Sequence, residues 1–178
     1  MTRIGLAVTE IPSVWFKAFV LVCLLPLALG AGSSLGPLDE LELRDQYGEL
    51  GSLAAHRGQV VVVIIVTARR LRNIEAWERE LRQRFDDLQV LRIADVPERS
   101  AADYGRIAHK LRDRVPEDVA VLIDADRRWA SALDLDTDRP NLLIVDRDGR
   151  LASSYRGMFD DELAADVIAE IERLVDGS

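Results

Sequence analysis

The stretch VVVVIIVTARRLRNIEAWEREL, residues 60–81, decides the fold. It opens with an unbroken run of β-branched aliphatic residues, 60–66, which is typical of a central strand covered on both faces. The helix predicted after it carries one apolar stripe at 3-4-4 spacing, formed by Ile74, Trp77, Leu81 and Phe85. A buried strand followed directly by an amphipathic helix predicts an α/β unit, and the corner between them is a common place for functional side chains.

Strands and helices alternate on both sides of this unit. Further strands are predicted at 41–43, 88–93, 119–123, 142–145 and 151–155. Further helices are predicted after Ser100, at 129–133, and after Asp160 or Asp161. The turn at 146–149 makes the last two strands an antiparallel hairpin. The alternation predicts a single α/β domain over residues 38–178, with a central mixed sheet flanked by helices on both faces.

The N-terminal residues differ from the rest of the chain. Arg3 and Lys17 precede an apolar run at 18–29, which at ~1.5 Å per residue is too short to span ~30 Å of hydrocarbon. Small residues at 28 and 30 suit a cleavage site. Residues 1–30 are therefore predicted to be a secretory signal peptide, with an uncleaved anchor or a cytosolic amphipathic leader as the alternatives. Residues 31–37 are predicted to be a flexible linker.

This leader predicts an exported chain, periplasmic or otherwise extracytoplasmic. Contact with a membrane is expected only through the N-terminal segment, if it stays uncleaved. Cys23, the only cysteine, lies inside the leader, so cleavage would leave no thiol and stability would have to come from packing. The net charge of -8 argues against a nucleic-acid partner, since phosphates need a basic face.

Three stretches resemble the thioredoxin-like superfamily, specifically its exported redoxin branch. They are LELRDQYGELGSLAAHRGQVVVVIIV (41–66), VLIDADRRWASALDL (121–135) and DRPNLLIVDRDGRLASSYRGMFDDELAADVIAEI (138–171). The third is the most specific, because the cis-proline of that family would fall at Pro140, directly before a strand. The resemblance implies a thioredoxin-like fold for the domain.

The chain departs from that family at its reactive site. A redox-active member carries Cys-x-x-Cys at the end of the central strand, and those positions fall near Arg70 and Asn73. A peroxidase pattern, Thr-x-x-Cys, counted from Thr67 also places Arg70 where the sulfur should be. Neither side chain can attack a disulfide or a peroxide, since that step requires a thiolate. The resemblance therefore implies a cysteine-less member, with no catalytic residue, no cofactor and no expected enzymatic activity.

The corner contains arginines in the region where redox-active members of the family carry cysteines. Arg69, Arg70 and Arg72 cluster at a predicted helix start, where backbone N–H groups and the helix dipole already favour anions. Arg139 would face the same corner, and its loop could pair with an extended peptide. The alternative is a solvated surface whose arginines pair with Glu75 and Glu78, beside a Pro140 that only shapes its loop.

The predicted function is non-covalent binding of a peptide, an anion or a protein partner in the cell envelope. The predicted binding site comprises Thr67, Arg69, Arg70, Asn73, Arg139, Pro140 and Asn141. The alternative function is that of a thiol-disulfide oxidoreductase or a peroxiredoxin-like antioxidant enzyme that uses a thiol supplied by a partner. A second alternative is a purely structural subunit.

No metal site is predicted. His56 and His109 lie in different segments without further ligands at metal spacing. An acidic stretch lacks the regular spacing of a calcium loop and is predicted to be a solvated loop; it contains Asp124, Asp126, Asp134, Asp136 and Asp138.

Overall fold

The computed structural model describes residues 33–96 and 104–177. The strands are β1 (Ser33–Ser34), β2 (Leu43–Asp45), β3 (Leu50–Gly51), β4 (Val61–Thr67), β5 (Gln89–Asp95), β6 (Leu122–Asp124), β7 (Asn141–Val145) and β8 (Arg150–Arg156). The helices are α1 (Glu75–Arg84), α2 (Tyr104–Arg112), α3 (Arg128–Ala132) and α4 (Asp161–Asp176). Short 3₁₀ segments occur at Gly36–Leu38, Leu53–His56 and Ala68–Ile74. The expected leader and Ser100 lie outside the described residues.

Strand β4 is a central strand of an eight-stranded mixed sheet with the order β1-β8-β7-β4-β5-β6-β2-β3. All of its residues are buried. It pairs in parallel with β5 over its whole length and antiparallel with β7 from Val61 to Ile65. The central strand predicted from the β-branched run is confirmed, and so is the closing hairpin of β7 and β8.

The two faces of the sheet carry separate cores because side chains alternate along a strand. Val62, Ile64 and Val66 pack with residues of α1 and α4 on one face. The parallel partner of Val66 is Ala94, which packs with α2 on that same face. On the opposite face, Val63 packs in one cluster with Trp129 of α3. The predicted single α/β domain with helices on both faces is therefore confirmed.

The segment before β2 belongs to the folded domain. Ser33 pairs with Leu151 and Ser34 with Arg150, which adds β1 to the edge of β8. Leu35 and Leu38 are buried in the core beside α3. The prediction of a flexible linker at 31–37 is therefore wrong from residue 33 onward, because Ser33 and Ser34 pair with β8 and Leu35 is buried in an apolar core.

Helix α4 begins as the sequence predicts. The Asp160 side chain accepts a hydrogen bond from the backbone N–H of Leu163 at 2.9 Å, which is the geometry of an N-cap. Val167 and Ile171 are fully buried against the sheet. Within residues 33–96 and 104–177, no helix has the length and apolar character needed to cross a bilayer.

Gln46 joins the turn after β2 to the strand beside it. Its side chain is fully buried. Its Nε2 donates to the carbonyl of Val119 at 2.6 Å, and its Oε1 accepts from the N–H of Val121 at 2.9 Å. The amide thus satisfies two backbone groups that precede β6, where no ladder bond is formed.

Replacing Gln46 with alanine should lower the free energy of unfolding by about 2–4 kcal/mol, because it leaves two backbone groups without a partner. Urea denaturation followed by circular dichroism measures the change. Gln83→Ala is the matched control: Gln83 is exposed on α1, and its replacement should shift stability by no more than about 0.5 kcal/mol. Equal effects of the two substitutions would contradict the bridging role of Gln46.

Candidate functional site

The corner after β4 is a 3₁₀ segment, Ala68–Ile74, followed without a break by α1. Thr67 ends the strand, and its N–H donates to the carbonyl of Thr137 at 2.8 Å. Its side chain forms no cap bond, and Arg70 departs from helical geometry with φ −116° and ψ 19°.

The arginines of the corner line two separate sites. Arg70 and Asn73 line an open cleft next to the loop before β7. Arg69 and Arg72 line a separate cavity on the α2 side of the segment. The sequence prediction placed Arg69 together with Arg70, because it treated the corner as the first turn of a regular helix.

The cleft has a volume of about 690 Å³. The 3₁₀ segment forms one wall, the loop before β7 a second, and the segment between β8 and α4 a third. Its charged lining consists of Arg70, Asp138, Arg139, Arg156 and Asp160. The structure therefore brings three of the predicted residues together, namely Arg70, Asn73 and Arg139.

The guanidinium groups of the cleft are accessible to a ligand, because their ion pairs are exposed and weak. Arg70 Nε lies 3.7 Å from Asp138 Oδ1, and both side chains are more than half exposed. Arg156 Nη1 lies 3.9 Å from Asp136 Oδ2, again in solvent. Such exposed pairs contribute about 0–1 kcal/mol and exchange readily for another anion. The guanidinium of Arg139 forms no hydrogen bond or ion pair with any residue in the described ranges.

Pro140 supports the cleft from beneath its surface. It is buried, and its carbonyl accepts a hydrogen bond from the N–H of Gly157 at 3.0 Å. The peptide bond before it is trans, as are all peptide bonds of the described residues. The cis-proline expected here is therefore wrong: the trans form is the favoured isomer of such a bond, and Asn141 holds the Arg139 carbonyl in that arrangement.

Thr67 and Asn141 are buried and serve the backbone of the same loop. Asn141 Nδ2 donates to the carbonyls of Asp136 and Arg139, each at 2.9 Å, and lies 3.4 Å from the carbonyl of Ile65. A side chain whose donors are used in this way fixes the loop and does not face a ligand. These two predicted residues therefore position the cleft without lining it.

Sequence reasoning missed the third wall of the cleft. Arg156 lines it from the end of β8, and Met158 and Phe159 line it from the segment between β8 and α4; Met158 is about half exposed. Trp77 of α1 contacts this segment twice. Its Nε1 donates a hydrogen bond to the carbonyl of Gly157 at 3.3 Å. Its ring packs edge-on against the ring of Phe159, with 5.2 Å between the ring centroids. In the sequence, this wall is signalled by Gly157, which lies between a predicted strand and a predicted helix.

The acidic stretch has two different parts. Asp124 is fully buried, and its oxygens accept the N–H groups of Arg128 at 2.9 Å and Trp129 at 2.8 Å, which starts α3. Its prediction as a solvated side chain is wrong, because it caps this helix from inside the core. Asp126, in contrast, is exposed as predicted.

Burial raises the pKa of the Asp124 carboxyl, and the nearby charge of Asp95 adds to this effect. The hydrogen bonds from Trp129 and Arg128 act in the opposite direction. Asp95, also fully buried, binds Thr137 Oγ1 at 2.5 Å and Arg127 Nε at 3.3 Å. The two carboxylates hold the loops at the carboxyl end of the sheet, next to the corner.

The described ranges 33–96 and 104–177 contain no group of three or more His, Cys, Asp or Glu side chains that could hold a metal ion. His109, one of the two histidines, has its Nδ1 at 3.1 Å from Asp113 Oδ2 on the exposed face of α2.

No protein-family model matches this chain, and no curated protein matches it in sequence. Solved structures do match it. The pneumococcal exposed lipoprotein thioredoxin Etrx1 of Streptococcus pneumoniae is 18% identical with a TM-score of 0.58, covering 73% of this chain and 98% of its own. A thioredoxin-like protein from Porphyromonas gingivalis is 18% identical with a TM-score of 0.58, covering 82% and 96%.

The bacterioferritin comigratory protein of Xanthomonas campestris is 16% identical with a TM-score of 0.55, covering 76% of this chain and 90% of its own. At identities this low, the likeness concerns the fold alone. The chain has a thioredoxin-like fold, as the resemblance of its three sequence stretches implied.

The raised pKa of Asp124 predicts a pH-dependent contribution to stability. A carboxyl with a higher pKa in the folded chain than in the unfolded one stabilises the fold most at low pH, and this contribution is lost as the pH rises through the folded pKa. Asp124→Asn removes the titration and one accepted hydrogen bond. We therefore expect the loss of unfolding free energy in Asp124→Asn, relative to the unchanged protein, to shrink between about pH 4 and about pH 7.

Urea denaturation of both proteins at each pH measures this difference. Asp126→Asn, the exposed neighbour, should give a difference that hardly changes with pH. A loss for Asp124→Asn that grows as the pH rises would contradict the assignment.

Proposed function

We propose that this thioredoxin-like protein binds the anionic group of a peptide or protein partner in the cell envelope, without redox chemistry of its own. The observation that carries this proposal is the cleft at the end of β4. Three guanidinium groups, those of Arg70, Arg139 and Arg156, line it where a reactive thiolate would stand in a redox-active relative. Weak, exposed pairs hold two of them.

The residues at the corner support the non-redox part of the proposal. Between Thr67 and Asn73 the sequence offers hydroxyl, guanidinium and amide groups, and none of these can form the mixed disulfide through which thiols exchange. Cys23 lies within the expected leader. Electron transfer at this corner would need a sulfur from another molecule.

The charge and shape of the cleft favour a carboxylate as the bound group. Its lining holds three arginines and two aspartates, Asp138 and Asp160, and Asp136 lies 3.9 Å from Arg156. The guanidinium of Arg139, which pairs with no carboxylate of the described residues, is therefore the group that most favours an anion. A guanidinium can hold a carboxylate through two parallel hydrogen bonds, which a point charge cannot do. Met158 and Phe159 add apolar surface beside these groups for a neighbouring side chain of the ligand.

Side chains, more than backbone, are the recognition elements in this proposal. The Pro140 carbonyl already accepts from Gly157, and the Arg139 carbonyl already accepts from Asn141. An extended peptide that adds to a sheet needs free backbone groups of this kind. We therefore favour a peptide C-terminus, or an acidic side chain, over a peptide that lies as an added strand along the loop.

The place in the cell envelope rests on the composition of the leader. An apolar run after Arg3 and Lys17, with small residues at 28 and 30, supports export of the domain. The folded domain begins by residue 33, directly after this segment.

Carboxylate recognition should be visible with a short peptide in two forms, one with a free C-terminus and one with a C-terminal amide. Isothermal titration calorimetry should give tighter binding for the free acid, and binding should weaken as salt is added. Arg70→Gln combined with Arg139→Gln should weaken binding of the free acid about tenfold or more, since hydrogen bonds to charged groups are lost.

Arg79→Gln is the matched control, because Arg79 is exposed on α1 and lines neither the cleft nor the cavity on the α2 side. Its affinity for the free acid should equal that of the unchanged protein. Equal affinity for the acid and the amide, or an unchanged affinity in the double variant, would refute carboxylate binding at the cleft.

The second expected outcome concerns redox activity. In an insulin-reduction assay with dithiothreitol and in a peroxide-consumption assay, the domain without residues 1–30 should react no faster than its Arg70→Ala variant. The reason is that neither protein carries a thiol. Turnover by the unchanged domain above that of the variant would refute the non-redox proposal and favour the alternative of an enzyme.

A further inference from the structure

A second cavity lies on the other side of the corner. It opens between α1 and the loop after α2, above strands β5 and β6, and Arg69 and Arg72 reach it from the 3₁₀ segment. Its volume is about 560 Å³, which falls within the roughly 300–1,000 Å³ of small-molecule sites. It shares no lining residue with the cleft of Arg70 and Arg139, so it is a separate candidate site.

One part of the inner surface of the cavity is apolar. Ile74 and Val121 are buried there, while Leu71, Val115 and Val119 are only partly buried although they pack against the core clusters. Helices α1 and α2 thus leave a gap over the sheet that their own side chains do not fill. An apolar group in this gap would bury surface that is otherwise in contact with water.

Arg92 occupies an unusual position in this gap. It is the β5 partner of Ile64 and points to the same helix-covered face of the sheet, where an apolar residue is the rule. Its side chain is only 14% exposed and forms an ion pair with Glu78, which is itself 11% exposed. Arg92 Nη1 also donates to the carbonyl of Val90 at 3.2 Å.

These contacts fix the Arg92 guanidinium without using all of its donors. Its Nη2 forms no hydrogen bond with a residue of the described ranges, although Arg92 lines the cavity. The Glu78 carboxylate is already neutralised, since its second oxygen lies 3.0 Å from Arg82 Nη2.

The mouth of the cavity adds further positive charge. Arg72 and Arg114 are exposed, and their guanidinium groups have no ion pair or hydrogen bond within residues 33–96 and 104–177. The acidic residues that line the cavity are Glu75, Glu78 and Asp118, against the arginines Arg69, Arg72, Arg82, Arg92 and Arg114. The site therefore combines an apolar patch, beside the largely buried Arg92–Glu78 pair, with an excess of guanidinium groups at its opening.

We propose that this cavity binds an organic carboxylate with an apolar tail. The tail lies over Ile74 and Val121, and the carboxylate meets the guanidinium groups of Arg72 and Arg114 at the mouth. A guanidinium pair holds a carboxylate through several charge-assisted hydrogen bonds. A ligand with only the tail, or with only the carboxylate, would contact one part of the site and not the other.

Three probes separate the contributions of tail and charge: octanoate, octanol and acetate, each titrated by calorimetry. Octanoate should bind at least about tenfold more tightly than either of the others, since only it combines the apolar and the charged contact. Arg72→Gln combined with Arg114→Gln should weaken octanoate binding about tenfold. Both side chains are exposed, so this variant should keep the fold.

Arg79→Gln again serves as the control for a general loss of positive charge, and its octanoate affinity should stay unchanged. Three results would overturn the proposal: acetate or octanol binding as tightly as octanoate, an unchanged affinity in the double variant, or an equal loss of affinity in Arg79→Gln. Because Arg70 and Arg139 are intact in every variant, a failure here leaves carboxylate binding at the cleft unaffected.

Discussion

The structure depends on one constraint, the complete burial of β4 between two paired neighbours. Parallel bonds to β5 and antiparallel bonds to β7 satisfy its backbone on both sides. Its alternating side chains supply both apolar cores, one toward α1 and α4 and one toward α3. A strand held in this way has no freedom of register, so the position at which it ends, Thr67, is fixed. The end of β4 therefore determines where the corner and the two sites beside it lie.

At the corner, the geometry of the backbone decides which charges act together. Arg70, whose dihedral angles are not helical, lines the cleft, whereas Arg69 and Arg72 line the cavity. Positive charge at the start of a helix is unfavourable by about 0.3–1 kcal/mol. Asp138 offsets this weakly for Arg70, whereas Glu78 is engaged by Arg82 and Arg92.

Much of the fold could be predicted from the sequence, because the strongest signals are local. The β-branched run gave β4, the 3-4-4 stripe gave α1, and Asp160 gave the start of α4. The sites were less accessible, because they depend on contacts between distant segments. Nothing local distinguishes Asn141, which supports a loop, from Arg139, which lines a cleft. Gln46 and Arg92 carry their roles through partners far along the chain or across the sheet, which a pattern in one segment does not reveal.

Asp124 is another residue whose role its local sequence does not reveal. Its acidic neighbours predict a solvated loop, yet Asp124 is fully buried and caps α3. The Pro140 prediction failed for a related reason: the cis isomer was taken from a resemblance to a family, and the peptide bond before Pro140 is trans in this chain.

The 3₁₀ segment has a dynamic consequence. It is joined to the most protected strand of the molecule at one end, but no side chain caps its start and its bonds are those of the weaker, tighter helix type. Local openings of such a segment do not require the sheet to come apart. Its amide protons will therefore exchange with solvent well before those of β4, and the arginines it carries can change orientation while the framework stays folded.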